Sequence, residues 1–162
     1  MILDIFTEPN PILRQIGRDL TPAEVHDPKF SQLITDLTET MYDKDGVGIA
    51  APQVGQSVKI CVIAKDFTPE KTSDLILINP VWEKRTKARV SGEEGCLSVP
   101  HTYGKVRRYK KISVKALSEN GTPIIFDAND FFARIIQHEV DHLNGILFID
   151  KAKGLYQVDK KL

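Results

Sequence analysis

D-F-F-A-R-I-I-Q-H-E-V-D-H-L, from Asp130 to Leu143, reads as a helix and decides how the rest of the chain is placed around it. Asp127 and Asn129 are candidate caps at its start, and Asn144-Gly145 closes it. Steps of three and four residues return to nearly the same azimuth, so Phe131, Ile135, His138 and His142 share one narrow stripe and the two imidazoles point the same way. His138-Glu139-Val140-Asp141-His142 is therefore an H-E-x-x-H on a helix, a spacing at which two rings can hold one metal ion while the carboxylate beside them handles protons. The plain alternative is a helix with a polar stripe and a satisfied core histidine; the helical context of the motif favours the metal reading.

An open catalytic metal site needs a third protein ligand. It does not lie downstream: Phe148 stands where the extended H-E-x-x-H-x-x-G-x-x-H pattern has its last His, and no Glu follows Glu139 and no His follows His142. Upstream candidates are Cys61, Cys96, His26, His101 and several acids. Cys61 sits inside an apolar run and reads as a small core hydrophobe. Cys96, in a turn-rich segment beside Gly95 and two acids, is the first choice, while His26 and His101 read as solvated surface residues.

Outward from the helix, Asn10-Pro11 starts a brief helix that Gly17 ends, and Asp27-Pro28 starts a longer one whose Phe30, Leu33, Ile34, Leu37 and Met41 recur at helical spacing up to Asp45-Gly46. Gly46 to Gln53, G-V-G-I-A-A-P-Q, reads as a loop whose backbone approaches something closely. V-K-I-C-V-I-A (58–64) and L-I-L-I-N-P (75–80) are short branched runs that favour strands, 81–90 is a further strand with an exposed face, and S-G-E-E-G-C-L-S-V-P (91–100) is turn-rich. Lys111 to Leu117 alternates, and Asn120-Gly121 turns it into T-P-I-I-F as a two-residue hairpin. Several strands beside two long helices, without repeats or a linker, give one α+β domain over 1–162, its mostly antiparallel sheets packed around the H-E-x-x-H helix.

With 162 residues, 41% of them hydrophobic, the chain is long enough for one core, which excludes disorder and fibres. Lys plus Arg and Asp plus Glu both number 22, so no whole-molecule field draws the chain onto DNA or an anionic membrane. The basic stretch Lys105 to Lys111, K-V-R-R-Y-K-K, reads as a solvated strand face, with contact to ribosomal RNA as the sharper alternative. Two cysteines and no apolar run of signal-peptide length point to reduced thiols and a cytoplasmic protein.

G-V-G-I-A-A-P-Q (46–53), E-G-C-L-S (94–98) and Q-H-E-V-D-H-L (137–143) resemble, in order and approximate separation, the three signature motifs of peptide deformylases, and similarity runs from P-N-P-I-L-R near the start to L-F-I-D, over about residues 1–150. The resemblance implies a metal-dependent hydrolase, cytoplasmic, that removes the N-formyl group from the N-terminal methionine of newly synthesised chains and releases formate. It further implies Cys96, His138 and His142 as metal ligands with water as the fourth, and Glu139 as general base and then acid. Gln53 and the Leu97 backbone N–H would hold the oxyanion. Backbone groups of Val47, Gly48 and Gly95 would bind the peptide as an added strand, and Phe131 and Ile135 would line the methionine pocket. The cofactor implied is one divalent ion, physiologically Fe(II), with Zn, Ni or Co able to take its place in a purified sample. The partners implied are N-formylmethionyl nascent peptides and a transient ribosome contact, with neither DNA nor membrane.

The sequence departs from the family at Arg134, where some relatives carry an apolar residue; this side chain reads either as altering the pocket rim and the preference beyond methionine or as facing solvent. After Asp150, twelve residues interrupted by Gly154 stand where some relatives have a longer helix thought to dock on the ribosome. Arg108 is expected to pair with Asp141 in support of the site. Two rival readings are weaker. A closed structural metal site has no use for Glu139, and a zinc endopeptidase lacks its downstream ligand here.

Overall fold

The computed structural model describes residues 1–159; the last three positions of the 1–162 domain expectation lie outside the described residues. In chain order the helices and strands are α1 (Pro22–Val25), α2 (Pro28–Asp43), β1 (Gly48–Ala50), β2 (Ile60–Ile63), β3 (Leu75–Lys84), β4 (Arg89–Cys96), β5 (Val99–Tyr109), β6 (Lys111–Leu117), β7 (Pro123–Asn129), α3 (Asp130–Leu143) and β8 (Lys153–Gln157). Short 3-10 turns cover Pro11–Arg14, Ala51–Val54, Lys65–Phe67 and Phe148–Asp150. All named strand pairs are antiparallel, in a five-stranded sheet of order β1-β2-β3-β6-β7 and a three-stranded sheet of order β4-β5-β8. The α+β class with antiparallel sheets around the H-E-x-x-H helix is what the sequence predicts.

Strand periodicity explains the layering. In β2 the side chains alternate between faces, and all four are fully buried. Ile60 and Val62 meet Phe30, Leu37 and Met41 of α2, while Cys61 and Ile63 meet Ile136, Val140 and Leu143 of α3. A sheet covered on both faces needs continuous apolar runs, which is why the branched runs at 58–64 and 75–80 are legible as strands. A third cluster, with Leu13, Val106 and Phe148 at its centre, underlies the smaller sheet. Gln137 fastens α3 to the end of β5 by two bonds to the Tyr109 backbone, accepting from its N–H at 3.0 Å and donating to its C=O at 2.9 Å.

Several local expectations need correction. Gly48–Ala50, expected in a loop, pairs with β2 as the edge strand of the large sheet, and Ala51–Val54 continues as a 3-10 turn. The runs at 75–80 and 81–90 are largely one strand to Lys84, kinked between Ile78 and Val81, where Asn79 takes a positive φ of 51°. The turn-rich reading of 91–100 fails because β4 pairs along its length with β5, leaving only Leu97-Ser98 as the turn between Cys96 and Val99. The β6–β7 connection has three residues rather than two between Ser118 and Thr122. Gly121 N–H donates to Ser118 C=O, and Gly121 takes a φ of +81° in a bulged turn. The segment after Asp150 supplies β8, an exposed edge strand on β5.

Candidate metal centre

The site is built where α3 passes beneath the β4–β5 hairpin. Cys96 ends β4, and one ligand atom each from Cys96, His138 and His142 lie within 4.8 Å of one another; His142 Nε2 is 3.2 Å from Cys96 Sγ. Among the described residues this is the one such group of His, Cys, Asp and Glu donors. Cys61 is buried in the core, His101 is exposed and His26 follows α1 as its cap, so none joins the group.

Strand alternation places Glu94 on the same face of β4 as Cys96. Its carboxylate accepts from His138 Nδ1 at 2.8 Å, from Arg108 Nε and Nη2 at 2.9 Å each, and from Arg134 Nη1 at 2.7 Å. With Nδ1 donating to Glu94, His138 keeps Nε2 as the free lone pair that a metal requires. Burial alone would raise the Glu94 pKa, but the His138 and Arg108 hydrogen bonds outweigh it and hold the carboxyl well below its usual range. Arg108 also donates to Asp141 at 2.6 Å, as expected, and Lys151 reaches the same carboxylate at 3.1 Å. Arg134 does not face solvent. It is 8% exposed and donates to the carbonyls of Val106 and Val90 as well as to Glu94. Gly92 leaves room for that guanidinium, since a Cβ there would stand 2.8 Å from its central carbon. Sequence reasoning gave Glu94 no role; reading β4 as a strand would have put it on the face of Cys96.

Glu139 is buried, and its Oε2 has no hydrogen-bond partner among the described residues. Burial pushes its pKa up to about 7. Burial likewise holds His142 well below its usual value, which keeps it neutral and able to donate a lone pair. Gln53 is oriented by its neighbours. Its Oε1 accepts from Ala50 N–H at 3.0 Å, which turns Nε2 toward Ser98 Oγ at 3.1 Å and Cys96 Sγ at 3.6 Å. The segment before the first turn fixes both of these loops, because Phe6 N–H donates to Gln53 C=O and Glu8 N–H to Ser98 C=O.

A cleft of about 580 Å³ opens over these groups, and Val47, Gly48, Gly95, Leu97, Phe131 and Ile135 all line it. Val47 C=O accepts from Ala64 N–H at 2.9 Å, so by strand alternation the N–H and C=O of Gly48 face the free edge of the sheet, toward the cleft. Ile135 is buried, whereas Phe131 is half exposed and packs edge-to-face on Phe67. One cysteine and two imidazoles suit a divalent transition metal, and among the described residues no fourth donor, Glu139 included, joins the group.

Residues 2–158 match the family model described as polypeptide deformylase. A peptide deformylase of Desulfotalea psychrophila is 41% identical over 155 residues, covering 95% of this chain and 89% of the relative. Among solved structures, the class I type b peptide deformylase of Acinetobacter baumannii with Met-Ala-Ser bound superposes with a TM-score of 0.87 at 36% identity, covering 93% of this chain and 99% of that one. The Thermotoga maritima peptide deformylase gives 0.86 at 34% identity, covering 94% and 99%.

Proposed function

Because the chain belongs to the peptide deformylase family, a family of metal-dependent hydrolases, we propose that it removes the N-formyl group from the N-terminal methionine of newly synthesised chains, releasing formate. The observation that carries this reading is the convergence of the Cys96, His138 and His142 donors beside the buried carboxylate of Glu139, whose Oε2 has no hydrogen-bond partner among the described residues. The Met-Ala-Ser seen on the A. baumannii relative is what the product of such a reaction looks like. No helix among the described residues is long and apolar enough to cross a membrane, and we place the enzyme in the cytoplasm, where nascent chains with a formyl group are found.

Cys96, His138 and His142 would hold one divalent ion, Fe(II) in the cell, and the same donors accept Zn, Ni or Co. When bound, the ion supplies Lewis acidity, polarising the formyl carbonyl and lowering the pKa of water toward about 7. Glu139 takes the proton from the attacking water and hands it to the departing amine as the C–N bond breaks. Gln53, held by Ala50, donates through Nε2 to the oxygen that gains charge, and the Leu97 N–H is the second donor; one donor of this kind is commonly worth about 3 kcal/mol. The peptide adds as a strand along Gly48 and Gly95, with its methionine side chain against Phe131 and Ile135.

The direct test compares formyl-Met-Ala-Ser with acetyl-Met-Ala-Ser and with a peptide offering only internal bonds, using Fe(II)-loaded enzyme without oxygen. Formate from the first substrate alone is expected. Cleavage of an internal bond, or no formate at all, would reject the reading.

Gly48→Ala should cost activity without costing metal. A Cβ at that position would stand 2.9 Å from Glu139 Oε1 and 3.1 Å from its Cγ, and a buried carboxylate can yield only by leaving its place beside the donors. A fall in kcat of about a hundredfold is expected, in line with the cost of misplacing a catalytic group by about 1 Å. Full activity would show that Glu139 tolerates displacement. Removal of the ion should be visible in stability as well: at a thousandfold excess over Kd, binding contributes about 4 kcal/mol, so chelation should lower Tm by about 10 °C. An unchanged Tm would mean that the three donors do not hold a metal in the folded state.

A further inference from the structure

A second cleft, of about 670 Å³, shares no lining residue with the first. Arg89, Lys105, Arg107 and Lys153 line it, with Trp82 and Tyr109 as its aromatic wall, and no carboxylate is among its lining residues. The four cations are exposed, and among the described residues none has an acidic group at ion-pair distance. Glu93, which opposes Lys105 across the β4–β5 ladder, turns its carboxylate to the Tyr156 hydroxyl.

The charge arrangement works against the sheet that carries it. Lys105 and Lys153 are direct partners across the β5–β8 ladder, and like charges in that position destabilise strand pairing. Alternation along β5 puts Arg107 and Tyr109 on the face of Lys105, and register puts Arg89 directly opposite Tyr109. In a chain whose net charge is zero, this concentrates uncompensated positive charge in one concavity. The wall is equally specific: Trp82 and Tyr109 lie 5.9 Å apart, and the Arg89 guanidinium sits 5.4 Å from the Tyr109 ring centre. Cations along a groove beside aromatic faces are the recognition chemistry of an unpaired nucleic-acid strand, phosphates on the cations and a base on a ring.

We propose that this cleft binds single-stranded RNA, with phosphates on Arg89, Lys105, Arg107 and Lys153 and a base against Trp82. A free inorganic anion would leave the aromatic wall unused, and a duplex would have no base face to offer it. The choice of RNA over DNA rests on the proposed function, since a chain that still carries its formyl group is met where RNA is being translated. Because the two clefts are separate, RNA and peptide can be bound together.

Trp82 is the only tryptophan of the chain, so its emission reports directly on this cleft. Metal-loaded enzyme is titrated with a short single-stranded RNA of mixed sequence, followed both by Trp82 fluorescence and by anisotropy of a labelled copy. Saturable binding is expected, with log K falling against log salt at a slope of about −3 for four phosphate contacts. The double variant Lys105→Glu, Arg107→Glu should bind at least about tenfold more weakly with the slope roughly halved. Trp82→Ala, read by anisotropy, should weaken binding about tenfold with the slope unchanged. Formate release from a short formyl peptide, measured separately, should be the same in all of these variants, so loss of RNA binding and loss of deformylation are told apart. No rise in anisotropy, variants that bind like the wild type, or tripolyphosphate or heparin binding as tightly as the RNA would overturn the assignment.

Discussion

Glu139→Gln is expected to lower kcat for formate release by about a thousandfold while the metal content stays at that of the unmodified enzyme. The two halves of this expectation come from separate observations. Glu139 is not one of the converging donors, so removing its charge leaves the Cys96, His138 and His142 set intact. Its carboxylate is nonetheless buried beside them, with Oε2 unpartnered and Oε1 against Gly48. An amide fills the same space, keeps the packing with Gly48, and cannot accept a proton. Metal analysis together with formate release checks both halves, and a variant that turns over at even a tenth of the normal rate would remove Glu139 from the role of base.

Glu94→Ala should have the largest effect on the fold. The substitution leaves the Arg108 and Arg134 guanidiniums buried, at 4% and 8% exposure, without the carboxylate that receives three of their hydrogen bonds. Breaking a buried pair by removing one partner costs about 3 to 5 kcal/mol, which for a chain of this size lowers Tm by about 10 °C or more. The same change frees His138 Nδ1, and loss of such an orienting partner weakens metal binding by about 10- to 100-fold. Glu94→Gln should fall between, since it preserves shape but not charge. Acid titration of the metal-free protein gives the matching sign. Because the folded-state pKa of Glu94 lies below its ordinary 4.5, its contribution to stability is complete above that value and is lost as the pH falls further. Glu94→Gln should flatten this acid limb; a thermal denaturation series that shows the limb unchanged, or a Glu94→Ala protein as stable as the wild type, would contradict the account of the buried network.

What could be read from the residues alone follows from where the physical information lies. Helix α3 is legible because its periodicity and the Asn144-Gly145 stop are local, and Cys61 because it sits in an unbroken apolar run. Strand β4 is not, because S-G-E-E-G-C has glycines and acids where a strand signal would need alternating apolar residues. Its faces acquire meaning only from β5 and α3. Glu94 is hidden for the same reason: its partners Arg108 and Arg134 lie 14 and 40 residues away in sequence. Arg134 looks like a polar helix flank until the carbonyls of Val90 and Val106 are brought to it by the small sheet. Strand β8, interrupted by Gly154 and exposed throughout, carries no core pattern and forms by pairing with the edge of β5. The spacing of His138 and His142 could announce a metal helix, but a thiol more than 40 residues upstream becomes its neighbour only through the fold.

Crystals of the protein loaded with cobalt or zinc, with data collected at the absorption edge of the ion, test the central claim most directly. A single anomalous peak is expected at about 2.0 to 2.4 Å from Cys96 Sγ, His138 Nε2 and His142, with no fourth side chain within bonding distance. A peak away from Cys96, or one enclosed by four protein ligands, would contradict it.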